Sequence, residues 1–160
     1  MENNDSLAVA LARRGNRQTC PAVFICRADR VIIGLRHYTP DKFKDISLWT
    51  TPGGRCDDGE TVEETLRRET HEEVGLDDLR ITAFLGDVPG AKEGDVVPVF
   101  VGETAGEPTL MEPEKFSEWR WQPLDDIPHP FINPAALSLV RQWVAANDTS
   151  ADEAASGQPA

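Results

Sequence analysis

The sequence predicts an α/β sandwich, and three observations carry that prediction. Five short apolar or alternating runs, at residues 20–27, 31–37, 79–85, 95–102 and 117–124, have the length and composition of strands. A capped helical segment at 62–74 falls between the second run and the third. A second helical stripe follows Asn133-Pro134, after the last run. Strands interrupted by one helix and closed by another bury their apolar faces as a sheet with helices packed on it.

The chain opens MENND and continues SLAVALA before Arg13 and Arg14. An acidic start and an apolar run of seven residues fit neither a signal peptide nor a membrane span. Residues 1–17 are expected to form an extension, either mobile or adding an edge strand. CPAVFICR and VIIGLRH then predict two strands around a tight turn at Ala28-Asp29. Residues 38–47 form a polar loop containing Pro40, Lys42, Phe43 and Lys44. LWTTPGG at 48–54 puts Trp49 in the core. Pro52-Gly53-Gly54 forces a turn in which backbone can approach a ligand closely.

The next stretch, GRCDDGETVEETLRRETHEEVGL, organises the chain. Thr61 and Glu64 have the spacing of a capping box, so a helix starts there. Val62, Leu66, Thr70 and Val74 give it a buried stripe. Gly75 suits the left-handed position just past a helix end. On a helix over 62–74, Glu69, Glu72 and Glu73 lie at i, i+3 and i+4 and share one face. Like charges at that spacing repel. Carboxylates in a last turn also face the negative end of the helix dipole, at a cost of roughly 0.3–1 kcal/mol each. Local rules broken together mark either a solvated acidic face or a functional site. A bound cation is the simplest compensation, and all-oxygen ligands suit Mg²⁺ or Mn²⁺ over Zn²⁺.

After this helix, LRITAFL and DVVPVFVG read as strands, with Pro98 marking the second as an edge or a bulge. Residues 103–116 form a loop rich in Glu, Pro and Gly. SEWRWQPL alternates, placing Trp119 and Trp121 on one face. Asn133 is a cap and Pro134 takes the first helical position. Leu137, Val140, Trp143 and Val144 stripe that helix to about 146. The tail at 147–160 lacks apolar residues large enough to pack and is expected to be disordered. The main domain is therefore expected to span 18–146.

The organising stretch resembles the signature of the Nudix hydrolase family. The matching residues are Gly54, Glu60, Arg68, Glu69, Glu72, Glu73, Gly75 and Leu76, with Thr70 at a position that is usually apolar. Seven fixed residues at ~7% background usage match by chance in such a chain about once in a million. The resemblance implies a mixed, partly open sheet between helices, with the box as a loop–helix–loop beside the active cleft. It implies hydrolysis of a nucleoside diphosphate linked to another group, by attack of water on phosphorus. Glu69, Glu72 and Glu73, with the Gly53 carbonyl, would be metal ligands, and Arg68 would hold a box carboxylate in one rotamer. Glu60 supports the metal or the loop. The general base is either Glu69 or a later acid among Glu112, Glu114 and Glu118. Glu114 is favoured because it precedes the closing Trp-rich strand. The 38–47 loop lies near substrate, where Lys42 would meet phosphate and Phe43 would stack on a base.

Subfamily markers narrow the substrate. The proline expected in ADP-ribose hydrolases would fall at Lys92. The tyrosine typical of diadenosine polyphosphate hydrolases is missing, Tyr38 being the only tyrosine. EPEKFSEWRW looks like the matching segment of nucleoside triphosphate pyrophosphohydrolases that sanitise nucleotide pools. The expectation is therefore cleavage of an NTP or dNTP to the monophosphate and pyrophosphate, with Mg²⁺ or Mn²⁺ as cofactor. A Nudix hydrolase of a nucleotide sugar or other diphosphate, and a silent nucleotide-binding regulatory domain, are the alternatives.

Composition bounds the partners. A net charge of −12 over 160 residues repels nucleic-acid backbone, so duplex DNA and long RNA are not the expected substrates, whereas small polyphosphates screened by metal ions are compatible with it. At 39% hydrophobic residues the chain has enough for a core but is no membrane protein. Cys20, Cys26 and Cys56 form no CxxC pair, which argues against a disulfide framework or structural zinc and for a reducing cytoplasm. The expected partner is a small nucleotide, and the chain is expected to act as a monomer or homodimer. His37, His71 and His129 are not needed by this chemistry.

Overall fold

The computed structural model describes residues 2–37 and 47–156, with side chains for 5–37 and 47–147. Lys42 and Phe43 lie outside the described residues. The elements run α1 (Glu2–Ala12), β1 (Ala22–Arg27), β2 (Arg30–Arg36), β3 (Leu48–Thr50), α2 (Val62–Val74), β4 (Arg80–Pro89), β5 (Val96–Glu103), β6 (Phe116–Pro123) and α3 (Pro134–Ser156). A short 3-10 turn at Leu124–Asp126 follows β6.

The six strands form one mixed sheet in the order β3-β2-β1-β5-β4, with β6 pairing along β2. β1 and β2 are the expected hairpin, turning through Ala28 in the left-handed region (φ 56°). β1 pairs β5 in parallel, and every other pairing is antiparallel. Alternation along the strands feeds two cores. Val23, Ile25, Ile32 and Phe100 face α2, where Val62, Leu66 and Val74 meet them with Phe116 and Trp119. Phe24, Val31, Ile33, Val99 and Val101 face the other way, against Leu137 and Val140 of α3. The result is a helix–sheet–helix sandwich.

The capped helix forms as its sequence dictates. Thr61 and Glu64 make both bonds of the capping box, and Gly75 takes the left-handed cap (φ 70°, ψ 23°). Asn133 caps α3, its Oδ1 accepting the Ala136 N–H at 3.1 Å.

Three expectations are corrected. Residues 1–17 were expected to be mobile or an edge strand, yet Glu2–Ala12 is a helix. Leu7, Ala10 and Leu11 sit at i, i+3 and i+4 and pack on the α2-side core, which rewards a helix and not a strand. The tail was expected to be disordered from 147, yet α3 continues to Ser156. Its continuation is rich in alanine, the strongest helix former. Pro98 lies in an interior strand, since β5 pairs both β1 and β4. The β1 ladder begins only at Val99, so the missing N–H of Pro98 costs no bond to β1, while Pro98 stays in register with Asp87 of β4.

Candidate active site

The box loop, Pro52–Thr61, is pressed against the start of β1. Gly54 N–H donates to the Pro21 carbonyl (3.2 Å) and Cys56 N–H to that of Thr19 (2.8 Å). At Gly53 a Cβ would stand 2.4 Å from the Pro21 oxygen, so no side chain fits. At Gly54 a Cβ would stand 2.5 Å from the carboxyl carbon of Glu69. The close approach expected of these glycines is therefore made by β1 backbone at one and by a box carboxylate at the other.

Arg68 is the hub. Its Nε and Nη2 donate to the two oxygens of Glu60 (2.9 and 3.0 Å), and Nη1 donates to Glu69 Oε1 (2.9 Å). Nη2 also reaches the Arg55 carbonyl (3.3 Å), and Nη1 lies 3.5 Å from Glu72 Oε2. Such a fork fixes the rotamers of its carboxylates. Glu60 is the anchor and accepts further bonds from the Asp57 N–H (2.9 Å) and the Thr65 hydroxyl (2.6 Å). These bonds, that of Arg68 foremost, pull the Glu60 carboxyl down to about 2. Glu60 is thus a loop support that stays ionised.

Glu69 and Glu73 are held differently. Burial pushes the Glu69 carboxyl up, Arg68 opposes it, and Glu72 and Glu112 add repulsion. Glu73 is 7% exposed, and its Oε1 accepts the Gly53 N–H at 3.0 Å. Burial raises it well above the usual carboxylate range, with Glu69 and Glu112 pushing the same way. Both acids are destabilised as anions by lost hydration and by each other.

That chemistry tests the fit to a metal. The donors are oxygens, they crowd, and they carry excess negative charge, which suits a hard divalent cation. Glu69 and Glu73 fit directly. Glu72 is 44% exposed at its side chain and turned to Arg68. No group of three acidic, histidine or cysteine side chains is already gathered as a cation cluster among the described residues.

Of the later acids, Glu112 acts electrostatically on the box carboxylates. Glu112 is the loop acid whose charge acts on both Glu69 and Glu73, and it pairs with Lys115 Nζ at 3.2 Å. Glu114 is exposed. Tertiary hydrogen bonds hold this loop. Thr109 N–H donates to the Val74 carbonyl (2.9 Å) and His37 N–H to that of Lys115 (2.9 Å). Arg27 stacks on Trp121 at 4.3 Å and donates to Glu107 (2.6 Å).

A cleft of about 220 Å³ opens beside Gly53 and Gly54. Leu48, Val97, Phe131 and Ile132 give it an apolar wall, and Arg55, Lys92 and Asp95 a charged one. Backbone bonds between Trp49 and the 130–132 segment, at 2.9 and 2.8 Å, bring Phe131 there. The sequence reading missed this cleft and the Arg55–Asp95 pair. The Pro52-Gly53-Gly54 turn was the one local signal near it.

Comparison with known proteins agrees. Residues 16–143 match the NUDIX domain model. A Bacillus subtilis protein provisionally assigned as an 8-oxo-dGTP diphosphatase is 34% identical over 80 residues, 50% of this chain and 53% of that protein. The NAD-capped RNA hydrolase of Haemophilus influenzae is 28% identical over 79% of this chain and 50% of its own length. The matches thus span about half the length of these curated relatives. The crystal structure of a MutT NUDIX hydrolase from Burkholderia pseudomallei superposes with a TM-score of 0.61 at 30% identity, covering 77% of this chain and 97% of that one. The chain belongs to the NUDIX domain family, whose hydrolases act on pyrophosphate bonds.

Proposed function

We propose that this chain hydrolyses a nucleoside or deoxynucleoside triphosphate to the monophosphate and pyrophosphate. The observation that carries this reading is the buried Glu73 carboxylate. It is bonded to Gly53, crowded by Glu69 and Glu112, and Gly53 in turn lines a cleft with one apolar and one charged wall. The Bacillus relative, provisionally assigned as an 8-oxo-dGTP diphosphatase, supports a nucleotide substrate.

Glu69, Glu72 and Glu73, with the Gly53 carbonyl, would hold Mg²⁺ or Mn²⁺. When bound, such an ion neutralises phosphate oxygens and eases deprotonation of water. The chain's own residues do the rest. Arg68 holds Glu69 in one rotamer against Glu60, so the carboxylate does not need to be ordered during reaction. Glu112, or Glu69 itself, accepts the proton of the attacking water. The water oxygen bonds to the α-phosphorus as the bridging P–O bond breaks, and pyrophosphate leaves. Glu112 is favoured over Glu114 as the later-loop base, because its charge acts on the box acids. The apolar wall at Leu48, Val97 and Phe131 receives the base and sheds water. Lys42 and Phe43 retain their proposed roles toward phosphate and base.

Cys20, Cys26 and Cys56 are free thiols, and the cytoplasm is the proposed compartment. Among the described residues no helix is long and apolar enough to cross a membrane. The proposed partner is a small nucleotide, bound by a monomer or homodimer. The test is a panel of nucleotides, nucleotide sugars and NADH incubated with purified protein and Mg²⁺, with products identified. Pyrophosphate and monophosphate from at least one triphosphate are expected. Turnover of the diphosphates alone, or binding without turnover, would replace the proposal with one of its alternatives.

A further inference from the structure

The charged wall of the cleft takes no part in the chemistry above. Asp95 sits there with its side chain 4% exposed, and Arg55 covers it at 31%. Asp95 is the one acid among the described residues lining the cleft. A guanidinium has five N–H donors in fixed directions. Arg55 spends its end-on pair on Asp95, Nη1 to Oδ1 at 2.9 Å and Nη2 to Oδ2 at 2.7 Å. The second Nη1 proton goes to the Arg17 carbonyl at 2.6 Å. Nε–H and the second Nη2 proton have no partner among the described residues. In a planar guanidinium these two lie together on one edge.

Of the other polar groups lining the cleft, Asn133 and Thr51 are already committed, whereas Arg36 lies over the Phe116 ring at 6.0 Å with no carboxylate among the described residues fixing its guanidinium. Asn133 donates through Nδ2 to the Pro89 carbonyl (3.0 Å) and accepts from Ala136 through Oδ1 (3.1 Å). The Thr51 hydroxyl donates to the Val23 carbonyl (2.5 Å). Lys92 is exposed, and a flexible ammonium acts as a point charge and not as a fork. Arg55 alone offers two parallel donors whose direction is set by a buried carboxylate. The neighbouring wall of Leu48, Val97, Phe131 and Ile132 suits the flat face of a base better than a hydrated phosphate.

We propose that Arg55, held by Asp95, is the specificity-determining residue of this cleft, selecting a nucleobase that presents two adjacent hydrogen-bond acceptors. Guanine does so through O6 and N7, the commonest arginine–base contact. Cytosine does so through O2 and N3. Adenine, uracil and thymine have no such pair, and 8-oxoguanine turns N7 into a donor. The inference rests on the nucleotide reading above. Asp95 is a positioning residue here: it touches Arg55, not the base. The Arg55 carbonyl that meets Arg68 is backbone, so changing the side chain leaves that contact in place.

Two measurements separate this inference from the reading beneath it. The first is kcat/KM with Mg²⁺ for GTP, CTP, ATP, UTP and 8-oxo-dGTP, in wild type, Arg55→Lys and Asp95→Asn. The second is calorimetric binding of GMP, CMP, AMP and UMP to the same proteins without metal, which needs no turnover. Wild type should prefer guanine or cytosine by about 5–150-fold, the range of one good bidentate base contact. The GTP and CTP arms decide which of the two sources is used. Arg55→Lys should lower the preferred substrate about tenfold more than ATP or UTP, and Asp95→Asn should do the same less severely. Equal losses on all nucleotides would make Arg55 a phosphate contact or a structural residue and overturn the proposal, as would a flat wild-type profile. Base-selective binding of the monophosphates with no pyrophosphate release would sink the hydrolase reading and leave this inference standing. If a variant fails to show the wild-type circular dichroism spectrum, the wild-type profiles decide.

Discussion

Two threonines on one helix offer a paired test of how the box is built. Thr65 and Thr70 are both fully buried on α2. The Thr65 hydroxyl donates to Glu60 Oε1 at 2.6 Å, whereas the Thr70 hydroxyl has no partner among the described residues. Valine replaces hydroxyl by methyl with little change of shape, and the two residues have similar helix propensities. At Thr70 the change removes an unsatisfied buried polar group, which costs ~1–3 kcal/mol. Thr70→Val should therefore stabilise the fold by about 1–2 kcal/mol, allowing for incomplete relaxation. At Thr65 the same change removes a hydrogen bond to an ionised carboxylate, worth ~1.5–3 kcal/mol. Thr65→Val should destabilise by about 1–2 kcal/mol once the methyl's burial offsets part of that loss. The assay is urea unfolding at neutral pH with an unchanged slope. In a chain of this size each kcal/mol moves the melting temperature by about 2–4 °C. A destabilising Thr70→Val, or shifts of the same sign in both variants, would refute the reasoning. It would mean that the Thr70 hydroxyl is satisfied after all.

Four further outcomes follow from the same geometry. Arg68→Lys keeps the charge but cannot bridge Glu60 and Glu69 together, so kcat should fall about 10–100-fold with the melting temperature nearly kept. Gly54→Ala drives a methyl into Glu69, and a displacement near 1 Å should lower kcat about 100-fold, read in steady-state kinetics with KM as the contrast. Glu60 falls from 4.5 to about 2 in the fold, so its contribution is present above pH 4.5 and is lost as pH falls toward 2. The difference in urea midpoint between wild type and Glu60→Gln should accordingly shrink across that window and vanish at its acid end. Mg²⁺ at about 100 times its dissociation constant should stabilise the protein by about 2.7 kcal/mol. Chelator should abolish both that gain and turnover, and Glu73→Gln should lose the thermal shift.

What the sequence disclosed was local chemistry. The ends of α2 were set by Thr61, Glu64 and Gly75, three residues whose bonds close within one turn. The hairpin at Ala28 and the Asn133 cap were readable for the same reason. The missed features depend on distant partners. Leu7, Ala10 and Leu11 form a helical stripe only because a core waits for them. Glu112 and Glu114 are two positions apart in one loop, and the bonds that hold that loop, to Val74 and His37, come from distant parts of the chain. Arg55 and Asp95 meet across 40 positions, a separation with no periodicity to betray it.

The box acids break the local rules of a helix end, and the structure shows how far the protein alone mends the breach. Arg68 answers Glu69 directly and Glu72 at longer range, and Glu60 holds Arg68 in place. That half of the cluster is compensated by a side chain bought into position by the capping loop. Glu73 has no such partner. One backbone N–H and the more distant charges of Arg36 and Lys115 stand against its burial and two neighbouring carboxylates. A buried anion so placed is costly unless paired, and neutralising it by protonation would remove a ligand. Replacing it with a neutral residue would be cheaper for the fold. Its retention in this geometry therefore makes sense if the missing positive charge arrives from outside, with the substrate's own phosphates completing the balance. The asymmetry between Glu69, held by arginine, and Glu73, held by a glycine N–H, is what separates a site prepared for a cation from an acidic surface.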